Sequence, residues 1–198
     1  MADAVPVVGL TGGMGAGKST ALAALERLGA AVLSSDAIVH ELLQSPDVCE
    51  RIVERFGPEV APGGTIDRAA LARLAFADEE GTAWLERLLW PLVGARADEW
   101  AREVRARRPA PRAAVIEVPL LFESGEVDGY DATVAVVAEE GLRRERAEGR
   151  GHALGDERSA RQLPQDQKAR RATFVVCNDG TTEELEGQLS AVLAKLGR

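Results

Sequence analysis

The sequence has few cysteines, few histidines and no long apolar run, and each deficit argues against a class of protein. Two cysteines and two histidines occur in 198 residues. Cys49 and Cys177 form no CxxC or Cys/His group, so we expect neither a zinc site nor a disulfide framework, and we predict two buried, reduced thiols. No apolar run approaches the roughly 20 residues that span a bilayer. The N-terminus lacks the basic start of a signal peptide, so we expect a cytoplasmic protein.

The chain also lacks a basic excess. Its net charge is −8, whereas proteins that bind nucleic acid or anionic membranes usually carry a surplus of Lys and Arg. We therefore expect neither of these partners. Residues 143–171 differ from the rest of the chain, with nine Lys and Arg against five Asp and Glu. A basic segment in an acidic protein suits a polyphosphate ligand, although a solvated helical face has the same composition.

Five short apolar runs predict strands, at about 5–10, 31–33, 113–118, 131–137 and 173–177. Helical patterns separate them, and this alternation implies an α/β fold with a parallel sheet and helices on both faces. The helical stretch 37–107 is too long for a simple crossover, so we expect part of it to form a substrate-facing subdomain. Pro91 is predicted to kink or break the last helix of that stretch.

The segment Gly12–Ser19 fits the P-loop motif GxxxxGK[ST] without a mismatch. It follows an apolar strand and opens a helical pattern, which is the context that the motif requires. The glycines allow backbone amides to turn toward an anion, and the helix N-terminus adds its dipole. Lys18 is expected to reach the β- and γ-phosphates of a nucleotide, and the Ser19 hydroxyl to ligate Mg²⁺. A glycine turn that only caps a helix is the weaker alternative.

Acidic and basic candidates accompany the motif. Asp36 follows the second strand, at the sheet edge where ligands bind in such folds. Its carboxylate can accept a proton from an attacking hydroxyl or hold a magnesium-bound water, and it can equally cap the next helix. Arg146 and Arg150 share a helix face, and guanidinium groups neutralise the charge of phosphoryl transfer. Ion pairs with neighbouring glutamates are the alternative for any single arginine.

Missing motifs narrow the class further. The sequence has no NKxD guanine-specificity motif and no DxxG switch, so a GTPase is disfavoured. The strand Val115–Val118 lacks the acidic pair of an ATPase motor. A small-molecule kinase that uses ATP and Mg²⁺ remains. The rival interpretations are a P-loop kinase acting on a nucleotide, nucleoside or shikimate-like alcohol, and a nucleotide-binding module without turnover.

Four segments together resemble bacterial dephospho-coenzyme A kinases over nearly the whole chain. They are Gly9–Thr20 (GLTGGMGAGKST), Trp84–Pro91, Val118–Glu123 (VPLLFE) and Asn178–Gly180. The resemblance implies transfer of the ATP γ-phosphate to the 3′-hydroxyl of the dephospho-CoA ribose, the last step of CoA synthesis. It also implies a P-loop NTPase-type three-layer fold. We expect the protein to be a monomer or a small homo-oligomer. Its implied parts are a core (about 1–36, 108–142 and 172–198), a helical CoA-binding subdomain (37–107) and a lid (143–171).

Site residues follow from the same resemblance. The resemblance implies that Asp36 is the base that accepts the hydroxyl proton. It also implies that Arg146 and Arg150 are the lid arginines and that Asn178 lies near the adenine. The expected contacts of the ATP phosphates are Gly13, Met14, Gly15, Ala16, Gly17, Lys18, Ser19 and Thr20.

The chain departs from the family pattern at three positions. Ser34 stands where the family usually has the first aspartate of Asp-x-Asp, Trp90 where histidine is common, and Thr173 where aspartate is usual. None of these lies in the P-loop motif, so we expect activity to be retained.

Overall fold

A five-stranded parallel sheet forms the centre of the computed structural model, which describes residues 5–125, 127–148 and 161–197. The strands are β1 (Val7–Gly12), β2 (Ala31–Ser34), β3 (Ala114–Glu117), β4 (Ala132–Val137) and β5 (Phe174–Cys177). Their order is β2-β3-β1-β4-β5, and every neighbouring pair is parallel. All five predicted strands and the predicted α/β class are therefore confirmed.

The position of β1 explains where a ligand can bind. All six residues of β1 are buried, and the strand pairs with β3 on one side and β4 on the other. The chain therefore leaves β1 toward one half of the sheet and later fills the other half, so the strand order switches at β1. Ligands of open parallel sheets bind at the carboxyl ends of the strands at such a switch, and here that end is Gly12.

Helices fill the segments between the strands. They are α1 (Lys18–Arg27), α2 (Ser35–Leu42), α3 (Pro46–Phe56), α4 (Arg68–Ala75), α5 (Glu79–Ala106), α6 (Glu140–Glu148), α7 (Gln165–Arg171) and α8 (Thr182–Leu196), with a 3-10 turn at Pro58–Val60. None of the helices in the described ranges has the length and apolarity that crossing a bilayer requires.

Two details of the helices differ from the sequence-based expectation. Pro91 does not break its helix, because α5 continues through it to Ala106. Buried residues on both sides of the proline, including Leu89 and Ala97, pack this helix and offset the loss of one backbone hydrogen bond. The short helix α7 was not predicted, because its seven residues are mostly polar and too few to show a periodic apolar face.

The chain divides into two compact units. One contains the sheet and comprises the residues up to Ser34 together with those from Glu99 onward. Its core joins β1 and β4 to the apolar faces of α1 and α8, with Leu10, Leu25, Val134 and Leu189 all buried. The apolar residues of the central strands thus form the support on which the loop after β1 rests.

The second unit, Ser35–Asp98, is helical and has its own core. Its buried residues are Leu43, Val48, Ile52, Val60, Leu71, Ala75, Leu85, Leu88 and Leu89. Asp67 caps α4, because its Oδ1 accepts hydrogen bonds from the backbone N–H groups of Ala69 (2.8 Å) and Ala70 (3.1 Å). The cap fixes the start of α4 after the irregular segment 61–66.

Replacing Asp67 tests this account of the helical unit. Asp67→Ala should lower the free energy of unfolding by ~1 kcal/mol, because two N–H groups of the first turn lose their acceptor. Asp67→Asn is the matched control and should stay near wild type, since asparagine caps as well as aspartate. Chemical denaturation of both variants checks the expectation, and equal losses for Ala and Asn would contradict it.

Candidate active site

The loop between β1 and α1 depends on glycine at two positions. Gly15 (φ 73°) and Gly17 (φ 90°) adopt left-handed backbone conformations that disfavour a residue with a Cβ atom. A Cβ on Gly15 would also overlap the backbone carbonyl of Arg143. Gly17 is the N-cap of α1, so the free N–H groups of the first helical turn lie at the end of the loop. Such a helix start attracts anions.

Lys18 folds back over this loop. Its Nζ donates hydrogen bonds to the carbonyl oxygens of Gly12 (3.1 Å) and Gly13 (3.2 Å). The ammonium therefore lies at the carboxyl end of β1, beside the first residues of the loop. Ser19 follows in the first turn of α1 with an exposed side chain. The predicted contacts of Lys18 with nucleotide phosphates and of Ser19 with Mg²⁺ stay predictions.

Asn178 brings the end of β5 to the same loop. Its side chain is 7% exposed, and its Nδ2 donates to the carbonyl oxygen of Ala16 at 2.9 Å. A Cβ on Gly17 would overlap this amide group, so the glycine also permits the close approach of Asn178. The structure places Asn178 directly against the P-loop backbone. Its predicted location near an adenine stays a prediction.

Two arginines of α6 approach the P-loop region. The Nε of Arg143 donates to the carbonyl oxygen of Met14 at 3.0 Å, and its guanidinium lies beside Gly13. Arg146 donates from Nη1 to the carbonyl oxygen of Asn178 at 3.0 Å. Arg143 belongs to the basic segment 143–171, but the sequence did not predict its contact with the loop, since only the fold shows which arginine faces it. Arg150 lies outside the described residues.

Asp36 lies in the first turn of α2, two residues after the end of β2. Its side chain is exposed, and it belongs to the helical unit. Its assignment as the base therefore stays a prediction that rests on the sequence. Ser34, the residue at the first position of the usual Asp-x-Asp pattern, ends β2 opposite Glu117 of β3.

Asp179 joins the turn after β5 to the start of α6. One carboxylate oxygen accepts from the backbone N–H of Glu139 at 2.6 Å, and the other accepts from the Cys177 thiol at 2.8 Å. The hydrogen bonds from Cys177 and from the Glu139 amide lower the pKa of Asp179, because both favour its carboxylate form. The bond to Asp179 raises the pKa of Cys177, which keeps this thiol protonated.

The two cysteines are not buried as predicted. Cys49 is half-buried and Cys177 is exposed. The prediction for Cys177 is wrong because β5 is an edge strand in which exposure alternates. Val176 is buried, while Val175 and Cys177 are exposed. A short run of apolar residues did not distinguish such an edge strand from a central one.

A cavity of about 410 Å³ opens beside the P-loop within the sheet unit. Gly13 and Arg143 form one side of it, and residues 162–166 form another. Gln165 fixes part of this second side to the end of β4, because its side-chain amide accepts from Ala138 N–H (3.2 Å) and donates to Ala138 C=O (2.8 Å). A ligand held at the P-loop can extend into this space.

The sheet order, the glycine loop after the central strand and the lysine folded over that loop define a P-loop kinase. Comparisons with known proteins identify the particular family. Residues 6–184 match the dephospho-CoA kinase family, so the chain belongs to that family, whose members are ATP-dependent kinases.

Curated relatives agree over nearly the full length. A dephospho-CoA kinase of Deinococcus radiodurans is 43% identical over 192 residues, covering 96% of this chain and 91% of that protein. The dephospho-CoA kinase of Chlorobaculum tepidum is 38% identical, with 96% and 94% covered. The resemblance inferred from four short segments therefore extends along the whole chain.

Solved structures support the same fold. The crystal structure of TT1252 from Thermus thermophilus superposes with a TM-score of 0.79 at 36% identity, covering 98% of this chain and 99% of that one. The structure of dephospho-CoA kinase from Campylobacter jejuni superposes with a TM-score of 0.64 at 20% identity, covering 96% of this chain and 97% of that one. Shikimate kinase from Aquifex aeolicus gives 0.52 at 16%, with 96% of each chain covered, and this likeness concerns the fold alone.

Gly15→Ala tests the geometry of the loop. The left-handed backbone disfavours alanine by roughly 1–2 kcal/mol, and the added Cβ overlaps the carbonyl of Arg143. We expect ATP affinity to fall about tenfold or more, as measured by calorimetry. Gly141→Ala is the control, because Gly141 lies in α6 with no atom closer than 4.0 Å to an added Cβ. Its ATP affinity should be unchanged, and an equal loss in both variants would contradict the assignment.

Proposed function

We propose that this chain transfers the γ-phosphate of ATP to the 3′-hydroxyl of the dephospho-CoA ribose, giving CoA and ADP, and that it does so in the cytoplasm. The supporting observation is a complete P-loop, with Lys18 folded over it, in a chain that matches the dephospho-CoA kinase family over residues 6–184. The proposed assembly is a monomer or a small homo-oligomer.

The P-loop residues bind the nucleotide in this proposal. The backbone N–H groups of residues 13–20 surround the phosphates at the start of α1, where the helix dipole favours negative charge. The Lys18 ammonium neutralises the charge shared by the β- and γ-phosphates. Arg146 and Arg150 add positive charge around the transferring group, and planar guanidinium groups suit its oxygens. Asn178 supports the loop by holding the carbonyl of Ala16.

Ser19 is the proposed protein contact of a magnesium ion. A bound Mg²⁺ would neutralise the negative charge that develops on the phosphates during transfer. Within the described residues, no group of three or more His, Cys, Asp or Glu side chains could hold a metal ion. A kinase site does not require such a cluster, because Mg²⁺ there would keep several waters and would take one or two carboxylates and the substrate phosphates as its other ligands. The exposed hydroxyl of Ser19 is available for this role.

Asp36 is the proposed base. Its carboxylate orients the 3′-hydroxyl and accepts the hydroxyl proton as the new O–P bond forms. The segment Ser34–Asp36 has only this carboxylate, where the family pattern usually has two, and the proposal assigns both the orientation of the hydroxyl and the uptake of its proton to Asp36. The alternative is that Asp36 only stabilises the first turn of α2.

The acceptor is tested directly by mass. Wild-type protein with ATP, Mg²⁺ and dephospho-CoA should release ADP and add about 80 Da, one phosphoryl group, to dephospho-CoA. AMP and shikimate serve as acceptor controls for the rival P-loop kinases. Lys18→Ala should reduce turnover at least about 100-fold, because the charge on the phosphates loses a major stabilising group. Phosphorylation of a control acceptor, with none of dephospho-CoA, would overturn the proposal.

Asp36→Asn separates a base from a structural aspartate. The change preserves size and removes the proton acceptor, so we expect kcat to fall about 100-fold or more while the ATP dissociation constant stays unchanged. Steady-state kinetics and calorimetry on the same preparation give both numbers. A kcat near wild type would mean that Asp36 serves only the helix.

A further inference from the structure

A lysine with no exposed surface lies behind the P-loop, and nothing in the mechanism above uses it. The side chain of Lys168 is 0% exposed and that of Glu123 is 13% exposed, and Nζ lies 2.9 Å from Oε1 of Glu123. Nζ also donates to the carbonyl oxygen of Pro119 (2.5 Å) and to Oγ1 of Thr11 (3.4 Å). The ammonium thus connects the end of β1, directly before the P-loop, with the segment that follows β3.

Glu123 extends this network to the cavity. Its Oε1 also accepts the backbone N–H of Leu163 at 2.7 Å, and Leu163 lines the same cavity as Gly13 and Arg143. We call residues 162–166 the pocket wall. The buried pair therefore joins the pocket wall to the strand that carries the P-loop. Lys168 itself lies in α7, which begins within the pocket wall at Gln165.

Stability alone does not explain a buried pair of this kind. Removing two charges from water costs several kcal/mol per ion, and apolar replacements of buried pairs are often neutral or stabilising. Burial lowers the pKa of Lys168, while the hydrogen bond and the charge of Glu123 oppose that shift. The carboxylate thus helps to keep the ammonium charged, and the charged pair imposes directed contacts that an apolar core would lack.

We propose that Lys168 and Glu123 are positioning residues that hold the pocket wall at a fixed distance from the P-loop and thereby set the affinity for the nucleotide. They touch neither substrate in this scheme. They act through Leu163 on one side and through Thr11 and Pro119 on the other. This proposal rests on the proposed function only in assigning the cavity to the nucleotide.

Lys168→Met and Glu123→Gln are the informative changes. Glu123→Gln keeps the size of the side chain and Lys168→Met is one heavy atom shorter, and each removes one charge of the ion pair, so the pocket wall should shift relative to Gly13. We expect the KM and the dissociation constant for ATP to rise about tenfold, because a displaced wall loses part of its contact with the nucleotide and about 1.4 kcal/mol of binding free energy is a tenfold change. The KM for dephospho-CoA should change less than about twofold. Simple loss of folded enzyme would instead lower the maximal rate and leave the KM for ATP unchanged.

Lys168→Arg should retain most of the wild-type affinity for ATP. It keeps the charge and adds donors, and the second carboxylate oxygen of Glu123 is buried with no hydrogen-bond partner among the described residues. A guanidinium can use both oxygens, so the KM for ATP should stay within about threefold of wild type. This variant also keeps the test decisive if Lys168→Met does not fold, as does Glu123→Gln.

Arg105→Met is the matched control within the same unit. Arg105 pairs with Asp131 at 3.0 Å and donates to the carbonyl oxygen of Val5, so it contacts the opposite end of β1. It should lower thermal stability without changing the KM for ATP. A tenfold KM change in this control, or an unchanged ATP dissociation constant in both Lys168→Met and Glu123→Gln, would overturn the proposal. If wild type binds ATP but phosphorylates no dephospho-CoA, the proposed function fails while the binding test still decides the positioning role.

Discussion

The structure depends on one constraint, which is that the chain turns from a completely buried strand into a helix whose first N–H groups have no partner within the helix. Such N–H groups suit an anion, and this is the role that we propose for the loop. The turn requires left-handed backbone conformations, and Gly15 and Gly17 supply them. The apolar sheet beneath keeps the loop in place, because β1 is paired on both sides and buried along its length.

Side chains from outside the loop also fix its conformation. Asn178 and Arg143 each hold a carbonyl of the loop, at Ala16 and Met14. These two carbonyl oxygens have side-chain donors, and the N–H groups of the first turn of α1 have no partner within the helix and can bind an anion. The two side chains come from segments more than a hundred residues away, so the loop geometry is determined by the tertiary fold as well as by its own glycines.

Sequence patterns predicted the elements well and the contacts only in part. Each strand had a continuous apolar run, and the P-loop motif requires a strand before it and a helix after it, so the class of fold followed directly. The role of Lys18 in phosphate binding stays a prediction. Contacts such as Arg143 with Met14 or Lys168 with Glu123 left no local pattern, because their partners are distant in the chain. The exposure of Cys177 escaped prediction for a related reason, since an edge strand is defined by the neighbour that it lacks.

The cationic side chains near the loop differ in whether their hydrogen-bond acceptor is neutral or charged, and their roles differ accordingly. Arg143 donates to the carbonyl oxygen of Met14, and such a neutral acceptor orients a cation without cancelling its charge. Lys168 is paired with the carboxylate of Glu123, which offsets its charge at distances beyond the pair itself. Arg143 can therefore attract an anion, whereas Lys168 and Glu123 together contribute mainly geometry. A kinase site needs both, because positive charge binds the phosphates and fixed walls determine where they bind.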